Sequence, residues 1–195
     1  MRYRSYQGFT LSSVWVLIII NFMFFIATSI SSSLIYGLGL VPAVFLERPW
    51  TLVTSLFVHS GFAHILFNML ALYFFGRTLT MLVGERRFLL VYFVGGILGN
   101  VLYMLLNISS VLPVIGASGA VYAVAGALVV MVPKVRVALW GIIPMPLWVF
   151  VIVFLVVLSL PPLIDIGIAW QAHIGGLVAG LVAGYIFRRR GRYYH

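Results

Sequence analysis

Six long runs near 11–32, 61–80, 88–106, 116–132, 146–160 and 169–187 dominate this chain, and Arg77 is the only charged residue within them. A helix needs roughly 20 apolar residues to cross a hydrocarbon layer about 30 Å thick, so each run has about the length of a span, the fifth being short. Lipid offers the backbone no hydrogen-bond partners, so runs of this kind fold as helices that satisfy themselves. The expected fold class is all-α, a polytopic membrane protein built as a bundle of six transmembrane helices. At 195 residues, 64% hydrophobic and 8% charged, no sizeable soluble domain fits beside them, and 1–195 is expected to be a single domain. The first run exceeds a signal-peptide core and precedes no obvious small-residue cleavage site, so it is taken as a retained span. Leu139 to Met145, ahead of the fifth run, is apolar enough to lie in the interface or to extend that helix.

A net charge of +9 would suggest a nucleic-acid partner in a soluble protein. In a membrane protein it follows from topology, because Arg and Lys collect on the cytoplasmic side. With the N-terminus inside, eleven of the twelve basic residues fall in cytoplasmic segments and only Arg48 falls outside. Both termini are therefore expected in the cytoplasm, in a multi-pass protein of the cell membrane with no nucleic-acid partner. The long 33–60 loop then lies outside, where Pro42, Pro49 and Trp50 suggest an ordered, partly interfacial structure.

Polar side chains inside spans are costly without a partner and mark candidate sites. In this topology the second, fourth and sixth spans all begin on the outer side. Their first turns carry His59, His64 and Asn68; Ser118 and Tyr122; Gln171 and His173. Three helices thus bring polar groups to one depth, in a site opening toward the extracytoplasmic side. His64 and Asn68 share a helix face, as do Ser118 and Tyr122. His59 would lie about 140° around from His64 if both were helical, which argues against a shared metal site. His173 shares its face with Gly176, Gly180 and Gly184, while Gly119, Ala120, Ala123, Gly126 and Ala127 offer the fourth span a matching small-residue surface. Such surfaces let two membrane helices meet at close range and would place His173 against Ser118.

A serine hydroxyl becomes a useful nucleophile when an imidazole removes its proton. Gly116-Ala117-Ser118-Gly119 lets the backbone approach a carbonyl, and the start of the fourth helix offers unpaired N–H groups. His64 and Asn68 could add side-chain donors to an oxyanion hole. Each residue also has a plainer reading. Gly-Ala-Ser-Gly can be a packing surface, His173 a satisfied histidine, and Asn68 a link between helices. Tyr122 and Gln171 can be structural, and His59 can order the outer loop. The absence of cysteine excludes thiol nucleophiles, disulfides and thiolate metal sites. Glu47, Glu85 and Asp165 lie in loops on different sides, which rules out an intramembrane aspartic pair, and no His-Glu-x-x-His sequence marks a zinc protease. With no third member in reach of His173, a dyad is expected. The alternative from another class is a non-catalytic membrane-protein binder or small transporter built on the same cluster.

The sequences His59-Ser-Gly-Phe-Ala-His64-Ile-Leu-Phe-Asn68, Gly116-Ala117-Ser118-Gly119 with Tyr122, and Ala172-His173-Ile-Gly175-Gly176 resemble the motifs of the rhomboid family of intramembrane serine proteases. The resemblance runs from about Trp50 to Gly184 and looks like the minimal six-span prokaryotic form. It implies a serine endopeptidase that cleaves transmembrane protein substrates within the lipid bilayer without cofactor or metal. Ser118 would be the nucleophile and His173 the general base and acid. His64, Asn68 and the Ser118 N–H would hold the oxyanion, with Tyr122 packed on His173 and with Gly116 and His59 in support. Two positions depart from the family pattern: Thr51 follows Trp50 where an Arg is usual, and Thr80 stands where a Glu is common.

The fifth run, Pro146 to Leu160, contains no Gly or Ala and ends at Pro161-Pro162. Bulky side chains forbid backbone contact, so this span is expected to pack loosely, and its outer end, beside the level of the site, to move aside as a lateral gate for substrate.

Overall fold

The computed structural model describes residues 11–139, 143–159 and 169–190. Helix α1 (Ser13–Ile30) leads into α2 (Ser33–Leu38), a 3-10 segment (Pro42–Glu47) and a short α3 (Thr51–Thr54) that runs on into the 3-10 turn Ser55–Phe57. Next come α4 (Phe62–Ala71), a π turn (Leu72–Gly76) and α5 (Arg77–Val83) in one continuous helical rod, followed by α6 (Glu85–Leu106) and α7 (Ser118–Met131). A hairpin of β1 (Arg136–Leu139) and β2 (Ile143–Pro146) precedes α8 (Leu147–Ser159), and α9 (Trp170–Arg190) completes the described chain.

Four of these helices, Ser13–Ile30, Phe62–Val83, Glu85–Leu106 and Trp170–Arg189, are individually long and apolar enough to cross a membrane. Each overlaps one of the runs read from the sequence. Helix α7 has 14 residues and a length of about 21 Å at 1.5 Å per residue. It needs no more, because it is the central helix. Val114 and Ala117, which lead into it, are already buried, and Ala120, Ala123, Val124 and Ala127 are fully enclosed by neighbouring helices.

The core is a three-helix seam of α6, α7 and α9. A Cβ at Gly176, Gly180 or Gly184 would collide with the carbonyl oxygen of Gly119, Ala123 or Ala127, so α9 lies directly on the α7 backbone. Helix α6 approaches as closely, since a Cβ on Gly95 would strike Ala123 and one on Gly99 would strike the Ala172 carbonyl. In lipid, where neighbouring hydrocarbon is no less apolar than a helix face, this close packing is what favours association. Two polar side chains of α1 donate locally: Asn21 Nδ2 to the Leu17 carbonyl at 2.8 Å and Thr28 Oγ1 to that of Phe24 at 2.9 Å.

Contacts between the connections sort the helix ends. At one end an antiparallel bridge joins Leu40 to Val114, and the Ala43 N–H donates to Ser110. At the other the Glu85 carboxylate accepts from the Ser13 hydroxyl and N–H, and Arg188 Nη1 donates to the Val130 carbonyl at 3.4 Å.

The described chain is mostly helical, and the 136–146 connection adds one two-stranded hairpin to it. Residues 143–146 do not extend the fifth helix; Arg136 pairs with Pro146 and Leu139 with Ile143 in antiparallel register. Pro144 and Pro146 each lack an N–H and push the preceding residue out of the α region, so α8 begins only at Leu147. The end of the fifth run at Leu160, Pro161-Pro162, Asp165, and the terminal Arg2, Arg4 and Arg192 lie outside the described residues.

Candidate active site

Ser118 is the first residue of α7, preceded by Ala117 in right-handed helical geometry and by Gly116 at φ 121°. That φ strains any L side chain, and a Cβ there would also sit 2.8 Å from His64 Nε2. Glycine therefore opens the space in front of the serine. The same point lies 3.7 Å from Ser118 Oγ, so the His64 ring and the Ser118 hydroxyl border one small volume. As the first residue of the helix, Ser118 also contributes one of the first-turn N–H groups, which have no intrahelical acceptor.

From α9, His173 reaches the same hydroxyl. Its Nε2 lies 2.7 Å from Ser118 Oγ and its side chain is buried. Small residues make that reach possible: a Cβ on Gly99 would collide with the Ala172 carbonyl, and one on Gly119 would come within 3.3 Å of it. Tyr122, one turn below Ser118, stacks on the imidazole with ring centroids 4.7 Å apart and a 30° tilt. Gln171, in the same first turn of α9, is partly buried.

The second histidine pair departs from the expected geometry. His59 is not helical; it lies in the segment before α4, and the chain turns at Ser60 and Gly61. The His59 and His64 rings therefore meet edge to face at 4.9 Å, although the helical spacing had set them far apart. His59 is 2% exposed, and burial, reinforced by neighbouring His64, pushes its imidazole down to about 3. The neutral ring bridges two segments: Nδ1–H donates to the Phe57 carbonyl at 3.3 Å, and Nε2 accepts from the Ala117 N–H at 3.5 Å. Ser60 contacts His64 Nδ1 through its hydroxyl at 3.1 Å and leaves His64 Nε2 facing Gly116. Asn68, a turn farther along α4 and 8% exposed, donates from Nδ2 to the His64 carbonyl at 2.9 Å. Its second N–H remains available for another acceptor.

At the two departures from the family pattern the outcomes differ. Thr51 is 1% exposed and its hydroxyl donates to the Arg48 carbonyl at 2.6 Å. Arg48 and Trp50 reach back to the Tyr36 and Gly37 carbonyls at 3.0 and 3.2 Å, so the 33–60 connection is anchored without an arginine at 51. Thr80 instead has a buried hydroxyl with no hydrogen-bond partner.

Three features of the site region escape the sequence reading. Gly95, Gly96 and Gly99 make α6 a third small-residue surface, which the Gly95-x-x-x-Gly99 spacing signals. Asn100, the lone amide in its run, is 4% exposed and bonded to Leu52 and Ser55. The π turn puts an extra residue into the second span, and nothing in its Leu-Tyr-Phe-Phe-Gly composition marks it. No group of three or more potential metal ligands occurs among the described residues.

A match to the Rhomboid domain covers residues 46–190, from the connection before α3 to the end of α9. YdcA of Bacillus subtilis strain 168 is 33% identical over 138 residues, which span 70% of this chain and 66% of YdcA. The rhomboid protease GluP of the same organism is 34% identical over 134 residues, 69% of this chain and 25% of GluP. RHOMBOID-like protein 1 of Arabidopsis thaliana is 30% identical over 145 residues, 74% of this chain and 36% of that protein. The chain thus spans less than two thirds of the length of these relatives. The domain match includes every residue gathered around Ser118 and His173 and takes in most of the chain, which therefore belongs to the rhomboid family.

Proposed function

We propose that this protein is an intramembrane serine endopeptidase that cleaves transmembrane segments with a Ser118–His173 dyad. The observation that carries this reading is the 2.7 Å approach of His173 Nε2 to Ser118 Oγ across the α7–α9 seam in a rhomboid-family chain. His173 takes the Oγ proton as the oxygen attacks the scissile carbonyl, then returns it to the departing amine. Water next adds to the acyl-enzyme, and His173 accepts its proton, leaving a new carboxyl end and a free serine. The tetrahedral oxyanion forms beside the Ser118 N–H, with His64 Nε2–H and the second N–H of Asn68 as side-chain donors; one such donor contributes about 3–4 kcal/mol. Tyr122 holds the imidazole plane, while His59 and Gly116 keep the approach to Ser118 in shape. The reaction needs no cofactor.

In this reading the six helical segments α1, α4–α5, α6, α7, α8 and α9 are the six spans, with both termini cytoplasmic. The end that carries the Leu40–Val114 bridge then faces the extracytoplasmic side, together with the active-site opening through which water enters. The basic residues support this orientation: Arg86, Arg87, Lys134, Arg136, Arg188 and Arg189 belong to the segments at the opposite end. Substrates enter laterally where the outer end of α8 moves away from the second span; nearer the inner ends of these two segments Phe75, in the π turn, and Phe150 meet edge to face at 5.9 Å and hold them together.

A fluorophosphonate probe tests the chemistry. It should label the parent on Ser118 and should label neither Ser118→Ala nor folded His173→Ala, both of which should cleave a single-span test substrate only at background. Cleavage above a few per cent of parent by folded Ser118→Ala would sink the assignment. Because the chain has no cysteine, single thiols report orientation directly. A thiol at Ser109 should react from outside, and thiols at Gly84 or Lys134 only after permeabilisation; the reverse pattern would overturn the orientation.

A further inference from the structure

Asn100 is the only amide side chain within α6, and it is buried at 4% exposure. Its Nδ2 group donates twice, at 2.9 Å to the Leu52 carbonyl and at 2.9 Å to Ser55 Oγ. Both acceptors belong to the helical turn that precedes His59. Ser55, itself 1% exposed, accepts the Gly116 N–H on its carbonyl at 2.9 Å. Gly116 lies two residues before Ser118, so a single amide fixes the turn to which the approach to the serine is bonded. The neighbouring surface of α6 bears on the other half of the pair. A Cβ on Gly99 would collide with the carbonyl of Ala172, the residue before His173, and one on Gly96 would come 2.9 Å from the Leu56 side chain. The Ser118 and His173 sides of the site therefore rest on one stretch of α6.

We propose that Asn100, acting through Ser55 and the Gly116 peptide, is the positioning residue that sets Ser118 at hydrogen-bond distance from His173. It touches neither reacting atom, and its role rests on the reading of Ser118 and His173 as the dyad. Residue type matters here. One planar amide supplies both N–H donors, whereas alanine supplies none and a carboxylate would set an acceptor against the Leu52 carbonyl. Displacing a reacting pair by about 1 Å costs on the order of a hundredfold in rate, so loss of an indirect tether should cost less than that.

Asn100→Ala and Ser55→Ala test this in the full chain. The readouts are the end point of fluorophosphonate labelling, its rate constant, and kcat and KM per labelled site on an embedded single-span substrate. Asn100→Ala should reach the parent's end point while the labelling rate constant and kcat per labelled site fall about tenfold and KM stays within about twofold. Ser55→Ala keeps the carbonyl and the Leu52 bond, so its kcat should fall about threefold. A purely structural role would lower the end point and leave kcat per labelled site intact. That result in both variants, or a loss confined to KM, overturns the proposal. Should Asn100→Ala fail to fold, a parent-like labelling rate in Ser55→Ala overturns it alone. Absence of labelling in the parent would instead tell against Ser118 as nucleophile.

Discussion

The α7–α9 seam and the α8 flank are both apolar helical surfaces, yet they pack by opposite means. Along the seam Gly176, Gly180 and Gly184 lie against the carbonyls of Gly119, Ala123 and Ala127, with no side chain between the backbones. Helix α8 meets its neighbours through Leu147, Val151 and Phe150, while Trp148, Ile152 and Val153 are exposed. Dispersion energy falls steeply with distance, so backbone-to-backbone contact holds one geometry whereas a layer of long side chains can repack. The Ser118–His173 contact spans the first kind of surface. The expected entry for substrate is the second.

If that contrast governs function, truncations around the seam should act on turnover and those on the flank on substrate entry. The largest effect is expected at the oxyanion donors. His64→Ala and Asn68→Ala should each lower kcat by about a hundredfold with KM within about threefold, because such a donor acts mainly in the transition state. Steady-state kinetics on an embedded substrate reads this directly, and a pure KM defect would recast both residues as part of the substrate groove.

A smaller but sharper test adds bulk to each surface. Gly180→Leu drives a side chain into the Ala123 carbonyl and should destabilise the fold by roughly 2–3 kcal/mol. Ile152→Phe on the exposed face of α8 should change stability by less than about 0.5 kcal/mol. Thermal unfolding in detergent compares them, and equal shifts would erase the distinction between seam and flank.

The smallest effects belong to the gate. Phe150→Ala removes the edge-to-face contact with Phe75, which is worth about 0.5–1.5 kcal/mol, and should speed cleavage of an embedded substrate about threefold. A crosslink fixing the outer end of α8 to the second span should slow that cleavage and leave labelling by a small serine probe unchanged. Parent-rate cleavage by the linked protein would place the entry elsewhere.

Much of this was legible in residue order. Run length marked the four helices that are long and apolar enough to cross a membrane, because a span must match the thickness of lipid whatever it packs against. Fourth-residue stripes located the seam, since only small residues allow it, and clustered polar residues at helix starts located Ser118, His64 and His173. What lay beyond the sequence depended on which surfaces become neighbours. His59 joins His64 because the chain turns at Gly61 and does not continue as a helix. The proline-bearing connection after α7 folds back as a hairpin. Asn100 finds Ser55 across 45 residues of sequence, and Gly99 takes the Ala172 carbonyl from a helix far along the chain. Periodicity tells each helix which of its faces is small or polar, but in a chain apolar on nearly every side it cannot name the partner. The choice of partner follows from mutual shape, which exists only once the helices are assembled.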